Sequence, residues 1–556
     1  MSWKTFLLPL AFLGTISPGL SSPDAPANFR NPILAGFYPD PSVCRVGDTY
    51  YLVNSSFAWF PGVPIHRSRD LVNWEQIGHV LDRPSQLNLK DNVGVSAGVW
   101  APTLRYHDGQ FYLITTAQRA GQNFYVTATD PAGPWSDPHF LPEAPGIDPT
   151  LFFDDDGRVY YVGNFDPKEK QRWKNQHEIW LQQIDLATDR LVGERHVLTA
   201  GDHVGFSMYA EGPHLYKING KYLLLISEGG TWERHAITVF LSDRVTGPYE
   251  RHLDNPVLTH RHLGTTADIT TTGHADLVQT QNGDWWAVLL GVRPFGPDRH
   301  YTLGRETFLV PVRFEDNWPV FAPNVGRVRR EETRPDLPWT PVPAMPARDE
   351  FTADKPGLAW NFLRTPQSTW WSLTARPGWL TLPLRAPKLT ETGQPSLIAR
   401  RVQHHHFTAT TRLDFAPAAA NEVAGLVVLQ NESFHYRLEV GRHEGRRTVI
   451  LHKVSRERPQ PAAPLHEEVV GRLPLPGTGP VVLRLQADEL DLRFLAGPDE
   501  SRLTPVGGTQ DGRLLSTRTA GGFVGAYVGM YASCQGETSA NTASFDWFDY
   551  RGATEW

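Results

Sequence analysis

Asp108-Gly109-Gln110-Phe111-Tyr112-Leu113-Ile114 is a tight turn followed by a strand of aromatic and apolar residues, and it is one of five similar segments in the chain. Asp-Gly and Asn-Gly turns favour hairpins because both residues tolerate a positive φ. The segments recur every ~50–60 residues, near the length of a four-stranded propeller blade. The repeat therefore predicts an all-β chain that begins with a five-bladed β-propeller. The other four segments are Gly47–Val53, Asp156–Val162, Asn219–Leu225 and Asn282–Val288.

Each hairpin is preceded at a similar distance by a polar or aromatic residue. In four copies this residue lies nine positions before the turn glycine, and in the first copy it lies eight positions before Asp48. Because the first strand of a blade lies nearest the channel, equivalent strands would direct all five side chains into one axial pocket. In blade order, these residues are Asp40, Trp100, Asp148, Glu211 and His274.

Three of the five aligned residues are carboxylates, which points to glycoside hydrolysis. That reaction needs a carboxylic acid to protonate the leaving oxygen and a carboxylate to activate water or to attack directly. A third carboxylate nearby raises the pKa of the acid by like-charge repulsion. A single Asp or Glu is better explained as a turn cap or a surface ion pair. Three at matched blade positions favour the catalytic interpretation.

The 556 residues exceed one compact core, so two domains are expected. We predict a propeller over residues 28–325 and an irregular, proline-rich linker over residues 326–347. Short alternating strands then return, which predicts a β-sandwich over residues 348–556. Residues 1–27 have the pattern of a secretory signal peptide, with Lys4 before a short apolar run. This leader predicts a secreted or periplasmic protein.

The composition excludes two classes of partner. The formal net charge of -7 provides no basic footprint for nucleic acid. Outside the leader, no segment of the sequence is apolar over the length needed to cross a bilayer, so no membrane partner is expected. The sequence is compatible with a homo-oligomer and does not determine the oligomeric state.

Several segments, in this order along the chain, resemble the motifs of glycoside hydrolase family 43, in particular its two-domain β-xylosidase and α-L-arabinofuranosidase branch. They include Asn31–Ser42, Gly146–Pro149, Glu211–His214, Gly273–Asp276 and Leu303–Thr307. The resemblance implies an inverting enzyme with Asp40 as general base and Glu211 as general acid. It implies that Asp148 orients the sugar and raises the pKa of the acid. It also implies that the second domain is a concanavalin-like, or lectin-like, sandwich packed against the propeller.

The resemblance implies further binding residues, and His274, at the axial position, is predicted to be one of them. Arg305 matches an arginine that hydrogen-bonds the terminal sugar, and Phe57 and Trp100 match residues that wall the same subsite. Phe523 or Tyr527 would reach the mouth of the pocket from the sandwich. Each also has a structural interpretation: an ion pair for the arginine and core packing for the aromatics.

His274 matches a position where some relatives bind a divalent ion, often calcium. No cofactor is required by the chemistry, and calcium is the single candidate ion. Calcium prefers oxygen ligands. A core histidine with satisfied hydrogen bonds, or a site bridged by water, is an equal alternative to direct coordination.

The sequence thus predicts an inverting exo-glycosidase that releases terminal β-D-xylosyl residues from xylo-oligosaccharides. One alternative is an α-L-arabinofuranosidase, or a bifunctional enzyme, that debranches arabinoxylan fragments. A retaining fructosidase-type propeller fits the Phe37–Pro41 segment poorly. A non-catalytic sugar-binding propeller is a further alternative, although binding a neutral pentose would not need three carboxylates.

Overall fold

The structure is a computed structural model that describes residues 25–553, apart from 91, 120–121, 168–169, 203–206 and 458–462. All but the last three residues of the predicted leader lie outside these ranges. The described residues form an almost entirely β structure, which confirms the predicted fold class. Among them, no helix combines the length and apolar character that a membrane span requires.

Within the described residues, five antiparallel blades occupy the first domain. Blade I contains β2 (Ser42–Val46), β3 (Thr49–Val53), β5 (Gly62–Ser68) and β6 (Glu75–Leu81); β1 (Asn28–Arg30) precedes it, and β4 (Trp59–Phe60) lies between β3 and β5. Blade II contains β7 (Gly98–His107), β8 (Gln110–Gln118), β9 (Asn123–Ala128) and β10 (His139–Phe140). Blade III contains β11 (Thr150–Phe153), β12 (Val159–Phe165), β13 (Glu178–Asp185) and β14 (Arg190–Thr199). Blade IV contains β15 (Glu211–Ile218), β16 (Lys221–Glu228), β17 (Ala236–Ser242), β18 (Glu250–Arg251) and β19 (Leu258–Thr259). Blade V contains β20 (Thr270–Gln279), β21 (Trp285–Val292), β22 (Glu306–Glu315) and β23 (Trp318–Phe321).

The five predicted turns join the first and second strands of the five blades. The ring is tied together by β1, which pairs with β24 (Glu331–Thr333) beyond the last blade. The side chain of Asn31 donates to the carbonyl oxygen of Leu309 and accepts from its N–H, both at 2.9 Å. The segment predicted as a linker therefore contains a strand that straps the propeller.

The second domain consists, in its described part, of two packed sheets. One sheet has the order β25-β39-β29-β34-β35-β36, with β27 also paired to β39 and β37 to β35; its strands are β25 (Arg348–Asp349), β27 (Leu380–Pro383), β29 (His406–Asp414), β34 (Val481–Asp488), β35 (Asp491–Gly497), β36 (Thr504–Pro505), β37 (Gln510–Asp511) and β39 (Thr542–Gly552). The other has the order β33-β32-β31-β30-β38-β28-β26-β4 and contains, besides β4, β26 (Asn361–Leu363), β28 (Ser396–Arg401), β30 (Val423–Asn431), β31 (Phe434–His443), β32 (Arg446–Arg456), β33 (Leu465–Pro474) and β38 (Tyr527–Ser533). A 3-10 turn (Gly512–Leu515) and the short helix α1 (Thr517–Ala520) precede β38.

The two domains share a sheet and a core. Strand β4 belongs to the propeller chain but pairs with β26 at the edge of the sandwich sheet. The Trp59 ring of β4 stacks on Tyr527 with centroids 3.7 Å apart. Arg364, fully buried in the sandwich, donates from Nε to the carbonyl oxygen of Val93 in the propeller at 2.6 Å. This interface holds the sandwich in a fixed position beside the axial pocket.

Candidate active site

The axial pocket, which we call the catalytic pocket, opens where the five blades meet and the sandwich approaches. All eight residues predicted as catalytic or substrate-binding border it, together with three that the sequence analysis did not identify: Ala101, Ile147 and Thr231. The eight are Asp40, Phe57, Trp100, Asp148, Glu211, His274, Arg305 and Phe523. The five residues at matched positions before the hairpins therefore lie together in the catalytic pocket.

Unusual backbone conformations direct several of these side chains into the pocket. Asp40, Asp148 and His274 have φ values of 51°, 54° and 50°. Phe57 and Ala101 also have positive φ, at 52° and 32°. Non-glycine residues in this region cost about 1–3 kcal/mol each, and such residues cluster at functional sites. The surrounding blades stabilise these conformations and so fix the directions of the side chains.

Asp40 is buried and surrounded by groups that favour its ionised form. Arg305 Nη1 donates to Asp40 Oδ1 at 2.5 Å, and Ser55 Oγ donates to Oδ2 at 2.7 Å. The Nδ1 atom of His274 lies 3.9 Å from Oδ1. Burial opposes ionisation, but the charges of Arg305 and His274 and the Ser55 hydrogen bond outweigh it, so the pKa of Asp40 falls below its ordinary value. An ionised carboxylate is what a general base requires.

The pKa values of Glu211 and Asp148 shift in the opposite direction to that of Asp40. Burial, followed by the charges of Asp148 and Asp40, raises the pKa of Glu211 well above its ordinary value. Burial also raises the pKa of Asp148 to about 6, with a contribution from Asp40 and against the stabilising effect of His274. The backbone N–H of Gly212 donates to Asp148 Oδ2 at 3.1 Å. Glu211 is therefore suited to hold a proton near neutral pH, as a general acid must.

Three aromatic rings form one wall of the catalytic pocket. The Phe523 ring of the sandwich stacks on Phe57 with centroids 6.3 Å apart and meets Trp100 edge-on at 5.8 Å. The N–H of Phe523 donates to Ser96 Oγ at 3.0 Å, and Arg305 Nη2 donates to the Phe523 carbonyl oxygen at 3.4 Å. The sandwich thus completes the pocket at the same arginine that contacts Asp40.

The contacts of His274, the residue matched to a calcium position, include Ser227 and Gly212. Its backbone N–H donates to Ser227 Oγ at 2.6 Å, and its ring lies close to Gly212. Across the described ranges, no group of three or more His, Cys, Asp or Glu side chains is arranged to hold a metal ion. The carboxylates supply the acid and the base, so the chemistry requires no cofactor.

A buried polar network around Asp276, which was not predicted, joins several blades. Asp276 is fully buried and accepts hydrogen bonds from Ser42 Oγ at 2.7 Å and Arg105 Nη1 at 2.9 Å. Tyr216 Oη also donates to it, at 2.5 Å. Burial opposes its charge, but the charge of Arg105 and the hydrogen bonds from Arg105 and Tyr216 keep the pKa of Asp276 below its ordinary value. Asp276 thereby joins blades I, II, IV and V. Its place in the Gly273–Asp276 motif was the available signal.

A five-bladed propeller whose axial pocket combines one carboxylate of lowered pKa with two of raised pKa has the fold and the groups of a glycoside hydrolase. The family model for glycosyl hydrolases family 43 matches residues 29–319. The model for the β-xylosidase C-terminal concanavalin A-like domain matches residues 348–551. The chain belongs to glycoside hydrolase family 43, and both the predicted family and the predicted concanavalin-like sandwich are confirmed.

Similar proteins extend over nearly the whole chain. A xylosidase/arabinosidase of Butyrivibrio fibrisolvens is 42% identical, covering 93% of this chain and 98% of the relative. A non-reducing-end α-L-arabinofuranosidase of Bacteroides ovatus is 40% identical, covering 95% of each. The crystal structure of a xylan β-1,4-xylosidase from Bacillus halodurans has a TM-score of 0.87 at 37% identity, covering 94% of this chain and all of the other. The protein is thus an enzyme, and the alternative of a non-catalytic propeller is not supported.

Proposed function

We propose that this enzyme is an inverting exo-glycosidase that releases terminal β-D-xylosyl residues from xylo-oligosaccharides. The opposite pKa shifts of Asp40 and Glu211 in one pocket are the main support. An inverting glycosidase needs an ionised base and a protonated acid on opposite faces of the sugar, roughly 6.5–9.5 Å apart to leave room for water. Phe57, Trp100 and Phe523 line one side of the pocket, and a wall that closes one end would favour exo action on a terminal sugar.

In the proposed reaction, Asp40 removes a proton from water while the water oxygen bonds to the anomeric carbon. The bond from that carbon to the leaving oxygen breaks, and Glu211 transfers its proton to this oxygen. Asp148 contacts the sugar and, by its negative charge, keeps Glu211 protonated. Arg305 maintains Asp40 as a carboxylate until it accepts the proton.

α-L-Arabinofuranosidase activity is the second candidate. It is favoured by two relatives at similar identity to this chain, one an arabinofuranosidase and one a xylosidase/arabinosidase. Both sugars are neutral pentoses, and a pocket of this composition accepts either. The two activities are distinguished by which terminal sugar the enzyme releases with the higher kcat/KM.

The test is to assay 4-nitrophenyl β-D-xyloside and α-L-arabinofuranoside side by side, with Glu211→Gln as the control. Faster xylose release, strongly reduced in the variant, is expected. Faster arabinose release would favour the second candidate, and no release of either sugar from folded protein would contradict both. Proton NMR of the xylose first released from 4-nitrophenyl β-D-xyloside, before mutarotation, should show the α-anomer; the β-anomer would contradict inversion.

We also propose that the chain is exported through its N-terminal leader, to act on xylan-derived oligosaccharides outside the cytoplasm. The support is the sequence pattern of residues 1–27. N-terminal sequencing of protein recovered from the periplasm or medium of the native host should give a start near residue 28. Light scattering on the same preparation would determine the oligomeric state.

A further inference from the structure

Two aromatic residues lie in the chain next to residues of the catalytic pocket, in the segments that flank the first two strands of blade IV. Trp232 directly follows Thr231, which borders the pocket, and 41% of its surface is exposed. Tyr209 lies two residues before Glu211 and is half-buried. The two rings meet edge-to-face, with centroids 5.7 Å apart and planes at 80°. They form one aromatic pair, in segments that also carry Thr231 and Glu211 of the pocket.

The backbone holds Trp232 in place although its ring is exposed. Gly230 has a φ of 71°, and a methyl group on it would lie 2.8 Å from the indole ring. The N–H of His235 donates to the Trp232 carbonyl oxygen at 2.9 Å. Glu233 forms an ion pair with Arg518 of helix α1, so the loop is also attached to the sandwich. The indole is therefore preorganised, which lowers the entropy cost of binding a ligand.

Tyr209 is fixed from the other side. Its N–H donates to the carbonyl oxygen of Asn175 at 2.9 Å, and its φ is 54°. Its ring packs edge-on against His177 with centroids 5.3 Å apart. The His177 ring is in turn hydrogen-bonded to the Asn164 side chain at 2.8 Å. Tyr209 is therefore held by its own contacts, and its ring packs against the exposed indole of Trp232.

The direction of the reaction indicates what this surface binds. A general acid protonates the oxygen that leaves with the departing sugar, so that sugar must lie on the Glu211 side. Asp40 and Arg305 belong to blades I and V, whereas Tyr209 and Trp232 flank the first two strands of blade IV, where Glu211 lies. A pyranose ring has an apolar C–H face that packs on aromatic rings, and an exposed, rigid aromatic is suited to such a contact.

We propose that Trp232, supported by Tyr209, is the platform that binds the leaving xylosyl residue, the sugar directly beyond the cleaved bond. The proposal rests on the proposed function for the position of the acid. It does not depend on which pentose is released, because the leaving group is a xylopyranosyl residue for xylo-oligosaccharides and for arabinoxylo-oligosaccharides. Trp232 is then a specificity-determining residue that distinguishes oligosaccharides from substrates with a small leaving group.

The experiment compares Trp232→Ala with wild type on two substrates that differ only in the leaving group. Both substrates carry the terminal sugar that wild type releases. If this sugar is xylose, xylobiose is compared with β-D-xylosyl fluoride. If it is arabinose, an arabinosyl-xylobiose is compared with α-L-arabinofuranosyl fluoride. We expect k_cat/KM to fall about tenfold on the oligosaccharide, mainly through KM, and less than about twofold on the fluoride. Trp232→Phe, which keeps a ring, should retain most of the activity.

Phe140→Ala is the matched control, since Phe140 is an aromatic with 51% exposure on the last strand of blade II. It should leave both substrates unaffected. The proposal would be overturned if Trp232→Ala kept the kcat/KM of wild type on the oligosaccharide. It would also be overturned if the variant lost kcat/KM equally on the oligosaccharide and the fluoride. Failure of the proposed β-xylosidase function would appear separately, as a preference of the wild type for the arabinosyl pair.

Discussion

Arg305 Nη1 lies 2.5 Å from Asp40 Oδ1, and each of the two residues is 5% exposed. Removing one partner of a buried ion pair leaves an uncompensated charge, which is far more costly than losing a surface pair. The pair also separates the roles of the carboxylates, because the arginine lowers the pKa of Asp40 while Glu211 and Asp148 retain protons to higher pH. Arg305, together with His274 and the Ser55 hydroxyl, thus distinguishes the base from the acid.

Replacing the arginine, as Arg305→Met, should shift the acidic limb of the pH–activity profile to higher pH. Activity needs ionised Asp40 and falls as pH decreases through its pKa, and Arg305 keeps that pKa low. The variant should also lose at least about 100-fold in k_cat/KM at neutral pH. The measurement is k_cat/KM against pH, with circular dichroism as the folding control. An unchanged acidic limb would contradict the role given to this pair.

Asp148→Asn should move the basic limb to lower pH. The charge of Asp148 raises the pKa of Glu211, and activity is lost as pH rises through that pKa because the acid loses its proton. The amide removes the charge at nearly constant volume, so the pKa of Glu211 should fall. The shift of the basic limb is measured as kcat/KM against pH. A basic limb that stays in place while k_cat falls would mean that Asp148 only positions the sugar.

Gly98→Ala should destabilise the fold at the pocket wall. Gly98 has a φ of 94°, and a methyl group on it would lie 2.3 Å from the Phe57 carbonyl oxygen. We expect a loss of about 2–5 kcal/mol in the free energy of unfolding, from backbone strain and overpacking. Gly109→Ala is the control, because its φ is 80° with nothing within 4 Å, so it should cost only about 1–2 kcal/mol. Urea unfolding curves give both values, and equal losses would rule out the steric clash.

Phe523→Ala should impair catalysis without unfolding the protein. The side chain is half-buried and lies over the pocket, and its backbone N–H, which the substitution retains, makes the contact with Ser96. Removing the ring opens the wall that contacts the sugar, so k_cat/KM should fall about tenfold. Phe523→Leu should be intermediate. A large loss of thermal stability with unchanged k_cat/KM would assign the ring to packing instead.

The sequence by itself determined the architecture of the propeller and which strands face the axis. Asp-Gly and Asn-Gly turns select hairpins through local backbone preferences, so five copies specify five blades without any tertiary information. Equal spacing from those turns was enough to group Asp40, Asp148 and Glu211. Their convergence follows from the geometry of a blade, which is the same in every copy.

Only the tertiary structure decided how these carboxylates differ from one another. Arg305 lies 265 residues from Asp40 in the chain, and the hydrogen bond from the Ser55 hydroxyl to Asp40 was not predicted. The pairing of β4 with the sandwich, the entry of Phe523 into the pocket and the exposure of Trp232 likewise depend on how separate loops meet. The physical reason is that pKa values and pocket walls are set by burial and by charges within a few ångströms in space, and distance along the chain does not specify either.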